Sequence, residues 1–261
     1  MTSYTHSFVV PAYGDSPYLP ECVSSLMSQT RSSEVLIATS TPSPYLSDVA
    51  KQFGVPLFVG NHQSGISRDW NFALAQATTD FVTVTNHDEV YDTEYAEKVM
   101  AAAERAHHPI MVFTDYVELR DNEIVSTNLV MRIKRLMNAP LRPRWAQRSK
   151  FIRNRVLSVG DPIMWPTVAF NRSRFPDYRF DEDYINDLDW DICQRMAQES
   201  GSFIYLPQVL MKHRIHSGTV TSEGIKQGRR RAEDYQMLRR YWPVPIAKLV
   251  AAFYAHAETS N

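Results

Sequence analysis

The chain has 261 residues, 44% of them apolar and 11% aromatic, which suffices for one large core or two small ones and excludes a disordered polymer. Its formal net charge of −1 is a cancellation: residues 1–128 carry 6 basic and 16 acidic side chains, residues 129–261 carry 22 and 13. No run approaches the ~18 apolar residues of a membrane span, and the two cysteines, Cys22 and Cys193, indicate neither a disulfide framework nor a CxxC zinc site.

The first half alternates short apolar runs with helical patterns. Ser7–Pro11 reads as a strand and Pro17–Gln29 as a helix, with Leu19, Cys22, Val23, Leu26 and Met27 at helical spacing. Strands over Val35–Ala38, Val55–Val59 and Asp80–Thr85 follow, separated by helices over Tyr45–Phe53 and Ile66–Ala77. The helix Asp92–Ala106 comes next. This order predicts a mostly parallel sheet covered by helices on both faces, with ligands beyond the carboxyl ends of its strands. The loops after Val10, Ala38, Val59 and Thr85 are therefore the ones to inspect.

The second half is less regular. Met111–Leu119 reads as a long strand turning at Asp121-Asn122 into Ile124–Thr127. Asp189–Glu199 reads as a helix, Phe203–Leu206 and Val209–Ile215 as strands, and Ser222–Tyr241 and Ile246–Ala257 as helices. The stripe Ile246, Leu249, Val250 and Phe253 on the last helix is expected to pack in the core. Nothing resembles a linker, so a single domain is expected, with residues 1–128 as one half and 129–261 as an elaborated other.

Between Asn128 and Gly160 there is no acidic residue and nine basic ones, Arg132, Lys134, Arg135, Arg142, Arg144, Arg148, Lys150, Arg153 and Arg155, interleaved with Trp145 and Phe151. Three readings stand: a solvated face that balances the acidic half, a membrane-facing or anionic-acceptor patch over 132–155, or a nucleic-acid surface. No nucleic-acid motif accompanies the charge, so that partner is not expected. Met1–His6 is polar and carries no export signal, which makes a cytoplasmic location the expectation, with membrane association through 132–155 the sharper alternative.

Gly60-Asn-His-Gln-Ser-Gly65-Ile66-Ser67 has the glycine spacing of a phosphate loop, but Ile66 stands where the ammonium that neutralises phosphate is needed. There is no G-x-G-x-x-G and no G-x-S-x-G. Three other constellations carry chemistry. Thr85-Asn86-His87-Asp88-Glu89 follows an apolar strand, where carboxylates can hold a divalent cation that bridges phosphate oxygens, or can simply form a turn before a helix cap. Six acids crowd Asp181–Asp191. Asp191 suits the first turn of a helix, whereas Asp187 and Asp189 stand at its boundary, where an ionised carboxylate can take a proton from a hydroxyl. Lys212–Thr219 contains His213 and His216, which on a strand face opposite sides, so one of them can reach the sheet's active edge.

Phe8-Val-Val-Pro11-Ala12-Tyr13-Gly14 with Ser25-Leu26-x-x-Gln29-Thr30 resembles the opening of family 2 glycosyltransferases. In order along the chain, Gly65–Leu74, Asp80–Asp88, Asp189-x-Asp191-Ile192-Cys193-x-Arg195 and Arg214-Ile215-His216 resemble that family's later segments. The resemblance implies a GT-A fold, a Rossmann-like α/β sheet that joins a nucleotide-sugar half to an acceptor half. It also implies inverting transfer of a sugar from a nucleotide diphosphate to a hydroxyl of a glycan, polysaccharide or lipid-linked acceptor.

Carried over residue by residue, the resemblance makes Asp189 the general base, and Asp88 and His216 the holders of a Mn²⁺ or Mg²⁺ ion. Pro11, Ala12, Tyr13, Thr39, Ser40, Ile66, Trp70, Asn86 and His87 would line the nucleotide. Arg68, Asp187, Trp165 and Arg214 are further candidates toward donor or acceptor. The chain also departs from the pattern. Asn86 replaces the first acid of the metal motif, and Ala38–Pro42 lacks the acid that reads the base. Trp70 replaces an arginine, and Leu188 a glutamate beside the base. Uridine is therefore not implied. The competing readings are a non-catalytic sugar-nucleotide binder and a nucleotidyltransferase, the latter disfavoured because Tyr13-Gly14-Asp15-Ser16 supplies no cation.

Overall fold

The computed structural model describes residues 3–216 and 227–258. A single nine-stranded sheet organises the chain. Its strands are β1 (His6–Pro11), β2 (Glu34–Thr39), β3 (Leu57–Val59), β4 (Phe81–Val84), β5 (Val90–Tyr91), β6 (Pro109–Arg120), β7 (Glu123–Val125), β8 (Val168–Asn171) and β9 (Ser202–Ile215). They lie in the order β3-β2-β1-β4-β8-β6-β9-β5, with β7 hairpinned onto β6. β1–β4 are mutually parallel and β6 pairs β9 in parallel, while β8 is inserted antiparallel between β4 and β6 and β5 is antiparallel on β9.

The buried strands are mostly apolar because both faces are covered. On one face Phe8, Val10, Val35, Ile37 and Phe81 pack with α1 (Leu19–Met27), α2 (Pro44–Phe53) and α4 (Tyr95–Glu104). On the other, Val9, Leu36, Val82 and Val84 pack with α3 (Ile66–Ala75) and later helices. Of the later helices, α7 (Lys150–Leu157), α8 (Leu188–Met196), α9 (Gln227–Arg239) and α10 (Val244–Glu258) feed this second cluster, while α5 (Leu129–Asn138) sends Met131 to the first and α6 (Arg144–Gln147) connects α5 to α7. None among the described residues is long and apolar enough to cross a membrane.

Several sequence expectations are redrawn. Phe203–Leu206 and Val209–Ile215 are one strand, β9, because the register against β6 jumps between Thr114 and Asp115, leaving Pro207 and Gln208 out of the ladder. Proline has no N–H to give a ladder, so the bulge lets it sit inside a long strand. The turn Asp121-Asn122 takes positive φ angles of 48° and 66°, which these two residue types tolerate best after glycine. β5 and β8 were not anticipated, nor were the three helices of 129–157. The last helix only partly meets its core expectation: Ala247 is buried and Val250 packs on the core, but Ile246 and Leu249 face outward. The first residues of the expected helix Ser222–Tyr241, and Ser217–Thr219 of the late histidine motif, lie outside the described residues, as does the Phe253 side chain.

Candidate active site

β1 ends at Pro11, and the Ala12 N–H still bonds the Ala38 carbonyl before the chain turns at Gly14 (φ +63°). Ala12 is buried at that strand edge and Tyr13 stands out from it, 65% exposed. β2 ends at Thr39, buried, whose hydroxyl accepts from the Thr41 N–H. The next hydroxyl, Ser40 Oγ, is buried without a hydrogen-bond partner among the described residues. Pro11–Tyr13, Thr39 and Ser40 thus occupy the carboxyl ends of adjacent parallel strands, where the alternation predicts a ligand.

The loop from Gly60 to Ile66 is wrapped around a carboxylate. Asp69 accepts from Ser64 Oγ (2.9 Å) and the Gly65 N–H (3.1 Å), and its other oxygen meets His62 Nε2 at 2.9 Å. The amino end of α3 is therefore filled by its own acid, which accounts for glycine spacing without phosphate-loop chemistry. Arg68 is spent on the same loop, donating to the Gln63 and Ser64 carbonyls. Ile66 packs half-buried on the core. Trp70 is buried edge-on against Phe180, and Trp165 is fully buried between Phe170 and Phe180, so neither indole lines an open surface.

The turn after β4 is tied down from the far end of the chain. Antiparallel pairing of β5 with β9 sets Val90 opposite Lys212 and so brings the preceding acids to the histidines. Glu89, fully buried, meets His213 Nδ1 at 2.8 Å and accepts from Asn86 Nδ2 at 3.0 Å. Burial opposes a charge on His213, but the Glu89 carboxylate prevails and raises its pKa. The second oxygen of Glu89 is buried without a hydrogen-bond partner, which leaves negative potential beneath the turn. Asp88 Oδ2 lies 3.1 Å from His216 Nε2, and the Asp88 carbonyl accepts from Arg214 Nε. Arg214 stacks over Tyr18, pairs with Glu21 on α1, and is almost wholly buried, so it braces the turn. His87 stays half-exposed in the same turn. His213, on β9, and His216, just past its end, each take one of two consecutive acids.

A second charged group gathers around α8. Asp189 is half-buried and accepts from the Trp190 N–H (2.9 Å). Burial raises its pKa, and the Lys134 ammonium on α5 works against that rise. Asp161 is raised well above the usual carboxylate range by burial and by the charge of Asp189. Asp187 is pushed up to about 10 by burial and by the charges of Asp234, Asp189 and Asp161; its Oδ2 has no hydrogen-bond partner. Glu233 of α9 holds this group in place by accepting the N–H groups of Ile185, Asn186 and Asp187. Arg195 and Arg240 enclose Asp191, which is therefore structural.

Tyr116 of β6 connects the two groups. Its ring meets that of His213 edge-on at 6.2 Å, and its hydroxyl feels Lys134 and Asp161 on one side and Glu89 on the other. Of the residues gathered here, Tyr116, Asp161 and Glu233 had not been singled out by motif. Asp161 alone left a trace, as the first acid after the acid-free stretch.

The family model for glycosyl transferase family 2 matches residues 7–177. The chain belongs to that family. An uncharacterised glycosyltransferase from Rickettsia typhi is 21% identical over 235 residues, covering 89% of this chain and 69% of the relative. Structures of TarS from S. aureus share the fold. The form spanning residues 1–349 in complex with UDP-GlcNAc aligns with a TM-score of 0.68 at 15% identity, covering 96% of this chain and 71% of that one. A mannosyltransferase from Pyrobaculum calidifontis in complex with GDP-Man and Mn²⁺ aligns at 0.67 and 14% identity, covering 98% and 71%. Against a longer TarS structure the chain spans only 37% of the length. The fold is thus GT-A and the protein is a glycosyltransferase.

Two side chains that meet at the turn after β4, Asp88 and His216, have the chemistry to hold part of a divalent ion's shell. The Asp88 oxygen and His216 nitrogen converge at 3.1 Å, close to the roughly 3 Å between adjacent ligands of an octahedral ion bound at about 2.1 Å. The uncompensated oxygen of Glu89 adds negative potential behind them. No group of three or more His, Cys, Asp or Glu side chains among the described residues could hold a metal ion, so an ion held by Asp88 and His216 would need substrate oxygens and water to complete its shell. That division is usual where an ion is shared with phosphates.

Proposed function

We propose that this glycosyltransferase moves a sugar from a nucleotide diphosphate to a hydroxyl with inversion at the anomeric carbon. The observation that carries the reading is the Asp88–His216 contact: a residue of the turn after β4 and one of the late motif, far apart in the sequence, meet side chain to side chain. The strand ends at Pro11–Tyr13, Thr39 and Ser40, with Asn86 and His87, offer backbone and hydroxyl groups to the nucleotide. Relatives of the same fold carry UDP, UDP-GlcNAc and GDP-Man in their structures. Residues 1–128 would supply most donor contacts and 129–261 the acceptor side.

A Mn²⁺ or Mg²⁺ ion held by Asp88 and His216 would supply positive charge to the departing diphosphate. Glu89 and His213 keep the Asp88 turn in position from below. Asp189 accepts the proton of the attacking hydroxyl. Its raised pKa makes it a stronger base than an ordinary surface carboxylate, at the cost of a smaller ionised fraction at low pH. Lys134 favours that ionised form.

The test is product formation across a panel of UDP- and GDP-sugars, with donor hydrolysis recorded alongside. Donor turnover with a defined anomeric product is the expected outcome. Tight donor binding with neither hydrolysis nor transfer under any acceptor would replace this reading with that of a sugar-nucleotide binder.

A further inference from the structure

Helix α5 is turned the wrong way for a helix of a water-soluble face. Leu129, Ile133 and Leu136 recur at i, i+4 and i+7, which places them on one side. That side faces outward: the three are 61%, 39% and 74% exposed. The opposite side carries Met131 and Asn138, both buried, with Lys134 directed at Asp161 and Asp189, and Arg135 bonded to the Tyr116 carbonyl. A surface helix normally buries its apolar stripe and shows its charges; α5 does the reverse.

Further exposed apolar side chains follow α5 on the elements next to it. The chain runs on through a short helical turn at 139–141 into α6 and α7, and these elements pack against one another. Trp145 on α6 is 71% exposed and Phe151 on α7 is 72% exposed. Arg155 lies over both the Phe151 and the Trp242 rings, which joins this layer to the start of α10, where Val244, Ile246 and Leu249 are also exposed. Exposed cations are interspersed with these rings and side chains: Arg132, Arg142, Arg144, Arg148, Lys150 and Arg155. No acidic side chain occurs between 128 and 160 to neutralise them. The charge of this stretch is therefore not uniformly surface: Arg153 is fully buried, and Lys134 and Arg135 serve the interior.

We infer that this face docks on the surface of an anionic lipid bilayer, with Leu129, Ile133, Leu136, Trp145 and Phe151 entering the headgroup region and the arginines pairing with headgroup charge. Aromatic and aliphatic side chains beside cations are the composition of an interfacial surface that lies on a membrane and does not span it. A second copy of the chain would set these cations against themselves. A nucleic acid would satisfy the cations and leave the aliphatic row in water. The docking does not depend on the transfer reading.

The experiment is flotation of the full chain with vesicles of phosphatidylcholine alone and of equal parts phosphatidylcholine and phosphatidylglycerol. Binding to the mixed vesicles only, weakened by added salt, is expected. Two double variants, Leu136→Glu with Trp145→Glu and Arg144→Glu with Arg148→Glu, should each lower the bound fraction about tenfold while leaving melting behaviour and turnover of water-soluble substrates unchanged. No binding of the wild type to mixed vesicles overturns the inference, as does binding that neither variant weakens. A concentration-dependent dimer that Leu136→Glu dissolves, without vesicle binding, assigns the face to a second copy and overturns it too. Because turnover is read on soluble substrates, failure of docking and failure of the transfer reading are seen separately.

Discussion

His216 Nε2 rests 3.1 Å from Asp88 Oδ2 across 128 residues of chain. The contact exists because β9 ends where the turn after β4 begins its return, and because His213, three residues earlier, anchors Glu89 on the other side. A single strand end therefore fixes both acids of the turn.

Asp88→Asn and His216→Ala are each expected to remove the Mn²⁺-dependent part of nucleotide-sugar affinity, by at least about tenfold, and to leave the metal-free part in place. Calorimetry of donor binding with and without Mn²⁺ measures this. Equal affinity in both conditions for the wild type would take the ligand role from both residues.

Asp189→Asn should lower kcat by about 10²–10⁴-fold at unchanged donor affinity. Burial raises the Asp189 pKa, so the acidic limb of the wild-type kcat profile should lie above the ordinary Asp value near 4. The residual activity of the variant should lack that limb. A variant that turns over at the wild-type rate would move the base elsewhere.

Asp187→Asn is expected to stabilise the fold, increasingly so as pH rises. The folded pKa is about 10 and the unfolded value about 4. Between them the folded chain holds a proton that the unfolded chain has lost, so stability falls with rising pH across that window. The amide mimics the protonated acid and removes the dependence. Thermal melts at pH 5 and pH 8.5 should show the larger gain at pH 8.5; equal gains would mean that Asp187 does not hold its proton.

Arg153→Met should destabilise the protein by about 2–4 kcal/mol without changing donor affinity. The guanidinium is fully buried and donates to the carbonyls of Ala197, Glu199 and Gly201, closing the carboxyl end of α8. Urea unfolding monitored by fluorescence reads the loss. An unchanged midpoint would show that water satisfies those carbonyls equally well.

The first half was legible because parallel strands buried on both faces are continuous apolar runs, such as Phe8-Val9-Val10 and Phe81–Val84, and their helices keep a 3.6-residue period. β8 was not, because Val168–Asn171 is four residues long and follows Trp165-Pro166 directly. Helix α5 escaped notice because its apolar residues face outward and its charges were read as one surface. In the candidate site, Asp88, Asp189 and His216 stand in short segments that resemble the family's. Glu233 and Tyr116 do not, since each acts only across tertiary contacts with nothing nearby in sequence to mark it.

Among the described residues, β8 alone joins β4 to β6 in the hydrogen-bonded order. The first 128 residues supply strands on both sides of it, so a chain cut near residue 128 would yield a leading fragment with two separate sheet pieces and an unfilled slot between them. Such a fragment should stay poorly packed alone and recover order only when 129–261 is supplied in trans. The slot makes this glycosyltransferase a natural subject for split-protein complementation, with enzyme activity reporting the encounter of the two pieces.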